Sequence, residues 1–162
     1  MKRLDLLLVN APSRIGVYGA LSPLAAVEPP VWAGLIARYC LNAGHSVEIL
    51  DAEAEGLTVE QTAQRIVDAA PRLAAFCIYG HQPSASTQCM PAAIETARMV
   101  NGYSVRGDAG HVHTLALGTH PSATPTRTLR EGFDFVAHGE GPATVVGVLE
   151  ILRDGPNFGG VL

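Results

Sequence analysis

The chain has 162 residues, of which 48% are hydrophobic and 16% are charged, and its formal net charge is −4. This length and composition indicate one globular domain with its own core and exclude a disordered chain. The lack of a basic stripe gives no support to nucleic-acid binding, and the apolar runs are too short to span a membrane. Asp5 interrupts the first apolar run, which is unlike a signal peptide, so we expect a cytoplasmic protein.

Five short apolar runs, each followed by loop-forming residues, predict buried parallel strands. A helical pattern separates each run from the next. This strict alternation predicts an α/β fold with a doubly wound, five-stranded parallel sheet, flavodoxin-like in its order 2-1-3-4-5. The third run is the most apolar and is expected at the centre. The predicted strands are residues 4–9, 46–50, 73–79, 114–117 and 133–137.

The first predicted helix opens at Pro29 and Pro30 and ends before Gly44, because proline is tolerated in a first helical turn and glycine is typical of a helix end. The next helix starts at Thr58, where Gln61 completes a capping-box pattern, and stops at Pro71. Apolar residues at helical spacing predict the buried face of the first helix: Val31, Leu35, Ile36 and Tyr39.

The remaining helices follow the third, fourth and fifth strands. One runs from about Ser84 or Thr87 to Val100, and residues 101–113 are expected to form an exposed segment. A short helix is predicted over 126–131, and a last one ends at Leu152. We assign residues 1–153 to the domain and 154–162 to a tail or linker. The predicted buried face of the helix ending at Val100 is Met90, Ala93, Ile94 and Ala97.

Three cysteines, Cys40, Cys77 and Cys89, are present without a CxxC or CxxxCxxC pattern. Such a sparse, odd-numbered set indicates reduced thiols. Cys40 and Cys77 lie in apolar elements, so we predict them to be core residues.

A ligand of such a sheet binds at the carboxyl ends of the strands. Four loops expected there share small residues and prolines, which allow a bulky ligand to approach the backbone. These loops are residues 10–19, 79–83, 118–125 and 138–142.

The common nucleotide motifs are absent. Residues 10–16 hold one glycine, Gly16, so the GxGxxG of dinucleotide sites is missing, as is GxxxxGK[ST]. Gly139-Glu140-Gly141 can bind a phosphate at a helix start or form a tight turn, and both interpretations stay open. A flavin phosphate site needs hydroxyl groups after the first strand, where only Ser13 offers one.

The histidines do not define a metal site by spacing alone. His111 and His113 alternate but lie in the predicted exposed segment, and His45 is predicted to be an exposed residue after a helix end. His81, His120 and His138 follow strands, where a three-histidine site is conceivable but a polar ligand is the commoner neighbour. We therefore assign no metal ligand and no catalytic residue.

Five segments together resemble a known family. In order they are LLVNAP at 7–12, PP at 29–30 with GL at 34–35, GHSVEILDA at 44–52, GTHPSATP at 118–125 and FDFVAHGEG at 133–141. Their order over residues 4–152 resembles the cobalamin-binding domain that precedes the radical S-adenosylmethionine (SAM) domain in cobalamin-dependent radical SAM enzymes.

The resemblance implies a way of holding cobalamin. Other cobalamin domains carry DxHxxG after the first strand, and its histidine binds cobalt. Here Pro12 occupies the histidine position and Asn10 the acidic one, which implies base-off cobalamin without that histidine. The loop at 79–82 would lie under the cobalt and the loop at 118–121 would hold the nucleotide tail, although Thr119 replaces a common second glycine. The implied cofactor-binding residues are Asn10, Ala11, Pro12, Tyr79, Gly80, His81, Gln82, Gly118, Thr119, His120, Pro121, Gly139, Glu140 and Gly141.

The same resemblance implies a partner, a radical SAM domain in cis or in trans. That domain would hold SAM and a [4Fe–4S] cluster through CxxxCxxC, which this chain lacks, so we expect no activity from the chain alone. The alternative is a flavodoxin-like module that binds a nucleotide or flavin. A receiver domain is disfavoured because Asn10 and His138 stand where it needs acidic residues and a lysine.

Overall fold

Five parallel strands form one sheet in the described part of the chain, which comprises residues 3–79, 83–104, 110–139 and 141–154 of a computed structural model. The strand order is β2-β1-β3-β4-β5, which confirms the predicted topology. In the parallel register, Leu8 pairs with Ile49 of β2 on one side and with Ala75 of β3 on the other. The strands are β1 Leu6–Asn10, β2 Val47–Asp51, β3 Leu73–Cys77, β4 His113–Leu117 and β5 Phe135–Val136.

Helices cover both faces of the sheet, as a doubly wound fold requires. Helices α2 and α7 pack on one face and α3 and α4 on the other. None of these described helices is long and apolar enough to cross a bilayer. The helices are α1 Arg14–Tyr18, a 3-10 helix Gly19–Leu24, α2 Val31–Asn42, α3 Val59–Ala69, α4 Pro83–Ser104, α5 Thr119–Ala123, α6 Pro125–Arg130 and α7 Gly141–Asp154.

The core has two layers because side chains alternate across each strand. Leu7 and Val9 of β1 face α3 and α4, whereas Leu6 and Leu8 face α2 and α7. Phe76, fully buried at the sheet centre, meets Phe133 edge to face with ring centroids 5.4 Å apart. The predicted α4 face is confirmed: Met90, Ala93 and Ala97 are buried and Ile94 packs against them.

The buried face of α2 was predicted wrongly. Val31, Leu35 and Tyr39 are 62%, 57% and 49% exposed, and only Ile36 of the predicted face is buried. The residues that meet the sheet are mostly small: Ala33, Ile36, Ala37 and Cys40. Small side chains let the helix axis approach the strands closely. Which residues of α2 are buried is therefore decided by the side of the helix that faces the sheet, and not by residue size.

Two loop predictions also differ from the structure. The segment 118–125, predicted as a loop, is largely helical because it contains α5, and α1 lies within the predicted loop at 10–19. In the segment 101–113, predicted to be exposed, α4 continues to Ser104, Val112 is buried and β4 begins at His113, while residues 105–109 lie outside the described part of the chain. His45, predicted to be exposed, is 8% exposed because Gly44 turns the chain back and the His45 amide donates to the Cys40 carbonyl.

The predicted capping box at the start of α3 is present. Thr58 Oγ1 accepts from the Gln61 amide at 3.2 Å, and Gln61 Oε1 accepts from the Thr58 amide at 2.9 Å. We expect Thr58→Ala to lower the free energy of unfolding by about 1 kcal/mol, because an amide at the helix start loses its acceptor. Urea denaturation followed by circular dichroism measures this. Thr126→Ala, at an exposed position, is the control, and equal midpoints for the two variants would contradict the expectation.

Candidate cofactor-binding site

Two cavities and a groove lie along the carboxyl edge of the sheet. A cavity of about 120 Å³ lies behind the loop after β1, and one of about 410 Å³ opens between that loop and the start of α2. A groove of about 320 Å³ runs between the segments that follow β4 and β5; we call it the β4–β5 groove. It is lined by Tyr79, Gly118, Thr119, Ser122, Ala123 and Gly139.

The loop after β1 places polar groups at the first cavity. Asn10 Nδ2 donates to Asp51 Oδ1 at 2.8 Å, which fixes the amide at the end of β1. The backbone amide of Arg14 donates to Glu53 Oε1 at 2.6 Å. The side-chain Nε of Arg14 lies 3.6 Å from Glu53 Oε2, which is ion-pair distance but too long for a hydrogen bond. Within the described residues this buried Nε has no hydrogen-bond partner, which leaves a donor for a ligand with amide or phosphate oxygens. Pro12, partly buried, lines neither the cavities nor the groove.

Tyr79, just after β3, connects the second cavity with the β4–β5 groove and lines both. Its ring stacks on Trp32, with centroids 5.0 Å apart and planes at 21°. A Cβ at Gly141 would come within 2.9 Å of the Tyr79 hydroxyl oxygen, so this glycine makes room for it. Trp32 was missed in the sequence analysis; the available signal was a large aromatic residue two positions after Pro30.

Gly118 sets the floor of the β4–β5 groove. Its φ is +145°, and a Cβ there would lie 2.0 Å from the backbone oxygen of Ile78. Ser86 Oγ donates to that same oxygen and accepts from the His120 amide at 3.1 Å. The end of β4 is therefore held against the end of β3 by close backbone contact that only glycine permits.

The segment after β4 is anchored on both sides. The His120 ring shares a hydrogen bond of 2.9 Å with Thr87 Oγ1, and Pro121 is buried, so both residues hold α5 in place. The Gly139 amide donates to Ser122 Oγ at 3.0 Å and ties the loop after β5 to α5. The groove walls are thus held together by hydrogen bonds within the chain.

The structure brings most of the expected residues to one edge. Asn10, Ala11, Tyr79, Gly118, Thr119 and Gly139 line the cavities or the groove. Pro12, His120, Pro121 and Gly141 lie beside them. Gly80, His81, Gln82 and Glu140 fall outside the described residues, and so does any three-histidine arrangement that uses His81.

The thiols near this edge stay protonated at neutral pH. Burial raises the pKa of Cys77 to about 12, with a further contribution from Cys40, and burial raises the pKa of Cys40 to about 11. Cys40 is a core residue as predicted, whereas Cys77 is only partly buried and lines both cavities.

The arrangement has room for a large ligand. Small residues and glycines line the β4–β5 groove, an aromatic stack stands beside it, and Arg14 Nε, ion-paired with Glu53, makes no hydrogen bond within the described residues. Fold and site together define a doubly wound domain with a candidate ligand site at the carboxyl edge of its sheet. A family model described as the B12 binding domain matches residues 19–149. The chain belongs to this family, whose cofactor is cobalamin.

Two solved structures share the fold. Both are of the radical S-adenosylmethionine methyltransferase TsrM from Kitasatospora setae. The one with tryptophan substrate and a SAM analog is 16% identical, with a TM-score of 0.63 over 94% of this chain and 26% of that chain. The one with cobalamin and a [4Fe-4S] cluster is 14% identical, with a TM-score of 0.61 over 100% and 28%. This chain therefore spans about a quarter of those chains, and no curated protein matches it.

Proposed function

We propose that this chain is the cofactor domain of a radical SAM methyltransferase or a related enzyme. It holds cobalamin across the carboxyl ends of the strands, with the nucleotide base displaced from cobalt and no histidine ligand from the loop after β1. The radical SAM domain, in cis or in trans, supplies the [4Fe–4S] cluster and SAM. The family membership and the shared fold with TsrM support this proposal.

Base-off binding is supported by Pro12 after β1 taken together with the β4–β5 groove. Pro12 follows β1 at the position of the DxHxxG histidine, and proline has no side-chain atom that can bind a metal. The Asn10 amide, at the position of the acidic residue, is hydrogen-bonded to Asp51. The groove offers room beside Gly118 and Gly139 for a displaced nucleotide tail.

Each part of the edge has a defined task in this proposal. Asn10 and Arg14 bind amides of the corrin rim, and the stacked rings of Trp32 and Tyr79 exclude water from one end of the site. Cobalamin, when bound, carries a methyl group or assists a radical step, and that chemistry belongs to the cofactor. The residues of this chain bind and orient it.

Titration with hydroxocobalamin tests the proposal. We expect saturable one-to-one binding with a change in the visible spectrum, and electron paramagnetic resonance of the cob(II)alamin complex without nitrogen superhyperfine splitting. Absence of binding, or tighter binding of flavin mononucleotide, would favour the flavodoxin-like alternative. Nitrogen splitting would contradict the ligand-free cobalt. If this splitting disappeared in His81→Ala, His81 would be the ligand; if it persisted, the ligand would be the cofactor's own base or another histidine.

A further inference from the structure

A second cluster of polar side chains lies at the opposite edge of the sheet. His113 is the first residue of β4, and Asp134 directly precedes β5. Both are therefore at the amino ends of strands, whereas the cobalamin site is at the carboxyl ends. A five-residue strand is about 13 Å long, so the two sites are separated by the length of β4.

Two imidazoles and one carboxylate converge in this cluster. His111 and His113 are two residues apart, a spacing that places side chains on the same face of an extended chain. Their ring centroids are 4.5 Å apart, with planes at 81°. His111 Nε2 lies 3.7 Å from Asp134 Oδ2, and one ligand atom from each of the three residues lies within 4.8 Å of the others.

The backbone and the carboxylate of this cluster are held in place. Asp134 Oδ2 accepts from the Thr114 amide at 2.7 Å and from Thr114 Oγ1 at 3.0 Å, which orients the carboxylate toward the histidines. The His111 carbonyl accepts from Arg3 Nη2 at 2.8 Å, and the His113 amide donates to the Arg72 carbonyl at 3.2 Å. The two backbone bonds fix the chain that carries the imidazoles, and the bonds from Thr114 to Asp134 are of the kind that supports a ligating carboxylate.

We propose that His111, His113 and Asp134 bind one divalent transition-metal ion of the zinc class. Two imidazoles and a carboxylate suit Zn²⁺ and related ions, whereas Mg²⁺ and Ca²⁺ prefer oxygen ligands alone. Tetrahedral coordination at about 2.0–2.1 Å needs donors about 3.3 Å apart, so the side chains must close by about 1.5 Å. His111 and Asp134 are exposed and His113 only partly buried, so side-chain rotation can bring about this closure.

The ion would act as a clamp at the sheet edge. It links the start of β4 to the start of β5, which has only two residues. Arg3 lies near the cluster, where its guanidinium is bound to the carbonyls of Ala70, Pro71 and His111, and its positive charge opposes a cation. Because a bound ion stabilises only the folded state, saturating Zn²⁺ should raise the unfolding temperature.

Isothermal titration of the chelator-treated chain with ZnCl₂ tests this site, alone and after loading with cobalamin. We expect one-to-one binding in both states, at least tenfold weaker binding in His113→Ala, and similarly weaker binding in His111→Asn. Because His111 is exposed, His111→Asn should fold like the unchanged chain, and circular dichroism verifies this. His138→Ala, titrated without cobalamin, removes an exposed histidine outside the cluster and should bind zinc like the unchanged chain.

Three results would overturn the site. These are no saturable zinc binding, equal binding in His111→Asn, or equal loss in His138→Ala, which would place the ion elsewhere. Failure of cobalamin binding with intact zinc binding would refute only the proposed cofactor function, so the two proposals are separable.

Discussion

Gly118→Ala is expected to lower the free energy of unfolding by about 3 kcal/mol or more. At φ +145° a side chain is strained, and the new Cβ would lie 2.0 Å from the Ile78 backbone oxygen. That oxygen cannot move freely, because it belongs to the chain just after β3 and also accepts from Ser86. The loss is a large share of the 5–15 kcal/mol typical of a domain.

Gly147→Ala is the matched control for this substitution. Gly147 lies inside α7, and a Cβ there meets no atom within 4 Å. Alanine has the higher helix propensity, so this variant should be more stable by about 0.5–1 kcal/mol. Urea denaturation followed by circular dichroism compares both with the unchanged chain. If Gly118→Ala unfolds at the same urea concentration as the unchanged chain, the close approach of Gly118 to the Ile78 backbone oxygen is refuted.

Ala123→Phe is expected to weaken cobalamin binding at least tenfold, about 1.4 kcal/mol or more. Ala123 is exposed at the end of α5 and lines the β4–β5 groove. A phenyl ring there fills space that the proposed nucleotide tail needs. Since the side chain of Ala123 is exposed, folding should be little affected, which the urea midpoint verifies.

Thr126→Phe provides the comparison for Ala123→Phe. It adds a ring of the same size at an exposed position of α6 outside the groove, and its affinity for hydroxocobalamin should match that of the unchanged chain. If Ala123→Phe also binds with unchanged affinity, the nucleotide tail does not occupy this groove. Equal weakening in both variants would point to a general disturbance of α5 and α6, and not to a filled groove.

The sequence indicated strands and topology well because their signals are local. Short apolar runs separated by helical patterns can bury their backbone groups only in a parallel sheet with crossovers. The Thr58–Gln61 capping box was also readable, since both partners lie within one helical turn. The buried face of α2 could not be read from the sequence. The large apolar residues Val31, Leu35 and Tyr39 suggest burial, but the smaller Ala33 and Ala37 are the ones that pack on the sheet.

For both proposed sites, too, the sequence supplied one part of the prediction and the structure the other. Loop composition alone pointed to the carboxyl edge and, through Pro12, to a site without the DxHxxG histidine. By contrast, only the structure showed that Trp32 stacks on Tyr79 and that Arg14 lies beside Glu53 at the site. His111 and His113 stood out by spacing, but the third group of their cluster, Asp134, is distant in the chain.

The sequence by itself determined the fold class, the strand order and the family resemblance, and it predicted the edge of the sheet for a ligand, because these follow from periodicity and from residues adjacent in the chain. Only the tertiary structure decided which face of α2 is buried, that Gly118 must be glycine, and that Asp134 meets His111 and His113. Each of these depends on the distance between atoms of different elements. That distance is set by the packing of helices on the sheet and by the register of β4 against its neighbours, which no local pattern encodes.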